Sequence, residues 1–493
     1  TSTVLMKSGV SLLGGFNSGT WERVGYQSES ERAANSSVIS YTGTETGVNF
    51  LDPVRTVEFS SSDIGSETYI EGFIIWGKLS AAAPCAVFVY NGASPVIRYN
   101  TIYGGSGTGT HAWAVVAAGG SNPSILYNRI DAPTGASSYT YSVYVYESFS
   151  TIKGNDLYAD SSGTSSPCVI QAYYNSDVFI DSNSIIMGSG SSSFTGIRID
   201  TPDTKAVIKG NNFSGGDGTY MGVYTSCSNT EILNNTISIG GSGSSAEAVR
   251  LNGAISAVIE GNTFNDSASS SSNTNGIVMY SSSTSTISRN IIVLTSSTTS
   301  AYCINDNSGT SDNKIYSNFL NSNGAFSTRG SGVYINNSSP LIVNNTILIN
   351  NTASSESTAV YSGGTSNLVI INNIFSAKGS GSSNYGVYES AAGSDPLYLQ
   401  NNLFMDCATA LYYDEAATVI ADETGLNSLA GGTTSGGNIL QIITIAGGGV
   451  VDPGDWGYIN TSGLDISGTY SGAMIDLSGT SRVVPLTIGA YEY

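Results

Sequence analysis

Chemistry has few places to reside in this chain. It has 493 residues, of which one is histidine, His111, with 37 Asp and Glu against 17 Lys and Arg. Glycosidic hydrolysis calls for two carboxyl groups facing each other across the bond, and proton transfer most often uses histidine. His111 lies in a Gly/Thr-rich connection, and the sequence holds no Asp-Asp pair, no Gly-His-Gly and no Arg-x-Lys. The carboxylates that come close in sequence are Asp156 and Asp160, Asp177 and Asp181, and Asp200 and Asp203. Arg198 and Asp200 alternate with Ile197 and Ile199, which puts both on the outer face of one strand, where a solvated pair is the plain reading. Asn305-Asp-Asn-Ser-Gly-Thr-Ser-Asp312 is oxygen-rich in the manner of a calcium loop, but it lacks the closing glutamate of an EF-hand. Cys85, Cys168, Cys227, Cys303 and Cys407 come no closer than 59 residues and show no zinc spacing. These residues predict no catalytic, cofactor-binding or metal-ligating set.

The elements that carry them announce themselves by repetition. The phrase Val96-Ile-Arg-Tyr-Asn100-Thr-Ile102 returns around Asn128, Asn155, Asn183, Asn211, Asn235, Asn262, Asn290, Asn318, Asn345, Asn373 and Asn402, in steps of 24 to 29 residues. Ile or Leu stands three residues before each asparagine, from Ile97 to Leu399, and Ile, Leu or Phe two residues after it. A fixed period means stacked repeats. Alternating apolar residues rich in Val, Ile, Tyr and Thr make each repeat β, and Ser, Gly and Asn break every helical window. A second short strand precedes each phrase, as in Val87-Phe-Val89, Val143-Tyr-Val145 and Val333-Tyr-Ile335. The expected architecture is all-β, a parallel solenoid of about fourteen coils. Its asparagines serve the turns by tolerating left-handed backbone and form an internal ladder at the coil spacing of ~4.8 Å. Tyr69-Ile-Glu-Gly-Phe-Ile-Ile75 fits the phrase with Phe73 in the asparagine slot. Sequons at Asn212, Asn234, Asn337 and Asn344 are what a Ser/Thr/Asn-rich repeat produces by chance.

The repeated phrase, the opening Ser8-Gly-Val-Ser-Leu-Leu-Gly-Gly-Phe16 with Trp21 and Arg23, and the closing Leu486-Thr-Ile-Gly-Ala-Tyr-Glu-Tyr493 resemble the right-handed parallel β-helix proteins of the pectate-lyase superfold, and among them the secreted, non-enzymatic bacterial repeat proteins. Enzymes of that superfold act on acidic polysaccharides, lyases with a calcium-binding carboxylate cluster and an Arg or Lys base, hydrolases with paired Asp, a His and Arg-x-Lys. The resemblance covers nearly the whole chain and implies the fold more narrowly than the activity.

Tyrosine is in excess, at 30 residues. Tyr224, Tyr280, Tyr334, Tyr361 and Tyr388 each follow an inward Val or Met, and the last three are 27 residues apart. They are expected to form an outward ladder, either as sheet-stabilising stacking or as a candidate contact surface for sugar rings. Residues 1–53 read as an irregular opening, 54–411 as regular coils and 412–493 as irregular coils and a closing segment. The formal net charge of -20 argues against nucleic acid, and no apolar run is long enough for a transmembrane segment. The absence of an apolar leader and of an initial methionine is read as secretion with a signal peptide removed, hence an extracellular or cell-surface location. Strand-like ends without a helical cap suggest head-to-tail self-association. The expected function is a non-enzymatic extracellular rod able to form filaments, without cofactors. A carbohydrate-binding adhesin is the first alternative, and a polysaccharide lyase or hydrolase the second.

Overall fold

The structure is a computed structural model that describes residues 3–15, 37–44, 53–136, 138–159, 166–188, 193–215, 219–240, 243–253, 256–266, 272–281, 284–309, 312–353, 355–415, 418–429 and 433–440. Trp21, Arg23, Asp160 and the closing segment from Asp452 lie outside them. The chain is an all-β parallel solenoid, with a turn count close to the fourteen that the repeat suggested. It falls into two compact units, Thr1–Thr230 and Glu231–Tyr493.

In the first unit each coil supplies one strand to each of three sheets. The coil that begins with His111–Ala118 continues through Ser124–Leu126 and Arg129–Asp131, and the next runs Tyr139–Tyr146, Phe149–Lys153 and Asp156–Ala159. Equivalent strands pair in parallel one repeat apart, as Val115↔Val143, Ile125↔Ile152 and Ile130↔Leu157 show. The apolar residue three positions before each asparagine points inward. Ile97, Ile125, Ile152, Ile180 and Ile208 are all fully buried, each stabilising the stack by about 1.5–3 kcal/mol. The second unit repeats the plan, from Ser245–Asn252, Ser256–Glu260 and Thr263–Asp266 onward.

Each long strand of the first sheet contains one residue that drops out of the pairing. Trp113↔Tyr141 is followed by Val115↔Val143, and Ser331↔Thr358 by Val333↔Val360. The skipped residue is small, Ala114 and Ser142 in one unit, Gly332 and Ala359 in the other. A Cβ on Gly332 would lie 2.1 Å from Ile347 Cγ2 and 2.8 Å from the Ala359 carbonyl oxygen. The bend turns side chains three residues apart, such as Trp113 and Val116, to the same face.

The asparagines form a column of amides in each unit. Asn128 is typical: its Oδ1 accepts the backbone N–H of Asn100 at 3.0 Å, its Nδ2 donates to the Ile97 carbonyl at 2.8 Å, and its own N–H reaches Asn155 Oδ1 at 2.8 Å. The pattern runs through Asn155 and Asn183 to Asn211 in the first unit. In the second it runs from Asn235 through Asn262, Asn290, Asn318, Asn345 and Asn373 to Asn402. The N–H of Phe73 bonds to Asn100 Oδ1 at 3.0 Å. The left-handed backbone sits one residue earlier than the sequence reading placed it. Tyr99, Tyr127, Ser182, Arg289, Ser317, Asn344 and Asn372 have φ of 53–57° there, and Gly154, Gly210 and Gly261 take the same place. The ladder asparagine itself is needed for its amide, which closes the turn from both sides.

Past residue 411 parallel pairing continues through an irregular coil. Thr434–Gly436 and Ile439–Leu440 extend the second and third sheets, and Asn438 receives the N–H of Asn402 at 3.1 Å. The 36-residue step accommodates an antiparallel strand, Thr418–Ile420, and a one-turn helix, Glu423–Leu426, capped by Asp422. Among the described residues no helix is long and apolar enough to cross a membrane.

Candidate functional site

The first unit carries a cleft of about 1140 Å³ on the outer face of its long-strand sheet. Because the strands are in register, its lining can be read as columns. One column passes from Trp113 to Tyr141, Cys168, Thr195 and Met221. The next passes from Val116 to Tyr144, Gln171, Arg198 and Tyr224. The aromatic end is built from two dyads on neighbouring strands, His111 with Trp113 and Tyr139 with Tyr141. Their ring planes lie within 23° of one another, with His111 and Tyr139 centroids 5.0 Å apart. Tyr144 is tilted by 52° to Tyr141, so its ring faces a different way. Trp113 and Tyr141 are buried, whereas Tyr139 and Tyr173 are exposed at the cleft wall.

The polar end is one fixed cation. Arg198 Nε pairs with Asp200 Oδ2 at 2.7 Å, Gln171 Nε2 donates to the same oxygen at 2.8 Å, and the guanidinium lies 4.8 Å over the ring of Tyr224. Burial alone would lower the Arg198 pKa, but the hydrogen bond and charge of Asp200 outweigh it and hold the guanidinium more firmly charged. At the other end burial lowers the His111 pKa and favours the neutral imidazole, whose Nδ1 lies 2.9 Å from Thr110 Oγ1. Burial raises the phenols of Tyr141 and Tyr144 well above the usual range, so both stay protonated. Cys168, buried in the floor, is pushed up to about 12 and is no nucleophile. Asp200 is the sole carboxylate among the described lining residues. His111 and Arg198 stand on strands three coils apart, ~14 Å at the strand spacing, so they meet different parts of any bound chain.

Of the residues singled out in the sequence, Arg198, Asp200, His111 and Cys168 come to this cleft. Asp156 is exposed beside Arg129 and Ser184. Asp177 pairs in register with Phe149 and Lys205, and Asp181 is bound by Lys153 at 2.8 Å. Asp306 is fully buried and caps its own turn, accepting the N–H of Ser308 at 3.0 Å and Asn313 Nδ2 at 2.9 Å. That part of the oxygen-rich loop is closed on itself.

Tyr224 belongs to the first unit, and the four tyrosines of the second fall in two columns. Tyr334, Tyr361 and Tyr388 stack at 4.7 and 5.3 Å, extended at the ends by Tyr302 and Tyr413, which sequence reasoning missed. Arg329 lies 3.9 Å over Tyr361 and pairs with Glu356. Near-parallel rings at this spacing cover one another's faces and offer edges to a ligand. Tyr280 belongs to a different column, between Asn252 and Asn307, and Tyr224 supports Arg198. The sequon residue Asn344 is fully buried, which closes it to glycosylation. The cleft had a signal in the sequence: His111-Ala-Trp113 and Tyr139-Thr-Tyr141-Ser-Val-Tyr144 are aromatic runs exactly one repeat, 28 residues, apart.

No protein family model matches the sequence, and no curated protein matches it. Among solved structures the fold is similar to a mannuronic acid specific polysaccharide family 6 lyase from human gut microbiota, at 12% identity and a TM-score of 0.32, over 79% of this chain and 92% of that chain. The expectation of a non-enzymatic, filament-forming rod, and of a chain that is no enzyme, is corrected at this point. The outer wall of the first unit carries a built cleft with a fixed cation, which a plain structural rod does not call for. At that identity and TM-score the likeness carries no argument about this chain, so any activity must be argued from the cleft.

Proposed function

We propose that the protein is a polysaccharide-acting enzyme that seats a uronate-containing glycan in the cleft of its first unit and cleaves it by β-elimination. The observation that carries this reading is Arg198, a guanidinium locked by Asp200 and Tyr224 in an aromatic-walled cleft. Elimination removes the proton beside a carboxylate, so negative charge grows on that carboxylate. A preorganised cation facing it lowers the barrier, and loss of one such group typically costs about 100–1000-fold. Arg198 is the clamp for that carboxylate. Tyr173, exposed one coil away, takes the C5 proton as a phenolate. The electron pair left behind forms the C4–C5 double bond as the C4–O bond breaks, and Tyr144, kept protonated by burial, donates its proton to the departing oxygen. The His111 end hydrogen-bonds a sugar further along the chain. Hydrolysis is disfavoured because it needs two carboxyl groups, and the single one here is committed to Arg198 and Gln171.

The test is incubation of the full chain with a panel of polyuronates, following the ultraviolet absorbance of the new C4–C5 double bond. Unsaturated product that falls by about 100-fold in Arg198→Gln, with circular dichroism unchanged, supports the reading. Binding without product, or product undiminished in Arg198→Gln, refutes it.

A further inference from the structure

The second unit holds a carboxylate cluster that the cleft chemistry does not use. Glu389 ends the strand Asn384–Glu389, and Asp414 ends the neighbouring strand Ala410–Asp414, with Glu415 next in the chain. Tyr388↔Tyr413 pairing brings Glu389 and Asp414 to adjacent positions of the stack. One oxygen from each of Glu389, Asp414 and Glu415 lies within 4.8 Å of the others.

A group of acids alone signifies little, but the state of Glu389 adds a separate fact. Its side chain is fully buried. Its Oε1 accepts the hydroxyl of Tyr412, while its Oε2 has no hydrogen-bond partner, and neither has Glu415 Oε2. A buried polar atom without a partner costs about 1–3 kcal/mol, and more when charged. Among the described residues no Lys or Arg forms an ion pair with Glu389 or Glu415. We propose that Glu389, Asp414 and Glu415 form a binding site for a divalent cation of the calcium type. The donor set is all oxygen, which selects hard cations. Calcium–oxygen distances of about 2.3–2.6 Å put oxygens on opposite sides of one ion up to about 5 Å apart, which matches the observed spread. The ion supplies the missing partner of Glu389 Oε2 and neutralises the cluster, tying two adjacent coils together. The proposal is independent of the glycan reading, since none of these residues lines the cleft.

The test is titration of the metal-stripped full chain with terbium, whose luminescence is sensitised by a tyrosine at the site, here Tyr412. Calcium competition and the thermal unfolding midpoint are measured in parallel. The expected result is saturable terbium emission displaced by calcium, a calcium-dependent rise in the midpoint, and loss of both in Glu389→Gln. Asp414→Asn is the second variant should Glu389→Gln fail to fold. Absence of any terbium or calcium response in the folded wild-type chain overturns the proposal, and so does a response that persists in both variants.

Discussion

Replacing Asn318 by alanine tests the physical basis of the whole stack. Its Nδ2 donates to the Ile287 carbonyl at 3.0 Å, the Tyr316 carbonyl at 3.1 Å and Asn345 Oδ1 at 2.9 Å, and its Oδ1 accepts both the N–H and the Nδ2 of Asn290 at 3.0 Å. The site is fully buried, so water cannot replace these partners. Asn290 Nδ2 keeps a second acceptor in the Ile259 carbonyl, and Asn345 Oδ1 keeps the backbone N–H of residue 318. The truncation therefore strands chiefly the Asn290 N–H and weakens the satisfaction of the Ile287 carbonyl. At about 1–3 kcal/mol for each buried group left unpaired, the loss is about 2–4 kcal/mol. Urea unfolding by linear extrapolation measures it, with the m-value checked for constancy, and hydrogen exchange at the Asn290 amide localises it. The exposed Asn265 is the control, with Asn265→Ala expected to change stability by no more than about 0.5 kcal/mol. A loss below about 1 kcal/mol, with the Asn290 amide still protected, would refute the reasoning that the amide column holds the coils.

Two further outcomes follow from the same geometry. Gly332→Ala, at the bend of a long strand, drives a methyl group into Ile347 and the Ala359 carbonyl; the expected cost is about 1–3 kcal/mol, and a neutral or stabilising result in the same urea assay would show that the bend can relax. Because burial lowers the His111 pKa from 6.5, its contribution to stability is fully present above pH 6.5 and is lost as pH falls through the lowered value. Trp113, with ring centroids 5.9 Å from His111, should report that protonation as a fluorescence change centred below pH 6.5 and absent in His111→Gln, and a midpoint at or above pH 6.5 contradicts the assignment.

The coil was legible in the sequence because each rung asks for the same residues. An inward Ile and a buried amide recur at Asn128, Asn155 and Asn183 for one physical reason, and a period exposes it. The cleft was harder to see because it belongs to no repeat. His111, Trp113, Tyr139 and Tyr141 share a face with Arg198 only through register across coils and through the strand bend at Ala114 and Ser142, which moves the outward positions by one residue. Counting alternate residues from a single strand cannot show that shift. Tyr280 is separated from the column of Tyr334 because it stands two residues further along its strand, where Val278 holds the matching position. Glu389 was invisible for the opposite reason: it stands in register with Ser362, so nothing periodic marks it.

The last rung among the described residues of the second unit is unlike the others. Asn438 passes its N–H and its Nδ2 to Asn427 Oδ1, at 2.9 and 3.0 Å, and Asn427 belongs to the cap of the short helix rather than to another coil. Every earlier rung would accept a further copy of itself, so this part of the chain can lengthen or shorten in evolution only by whole turns. Asn427 acts as a stopper in that series: it ends the translational symmetry from within, leaving the column no open valence at that end.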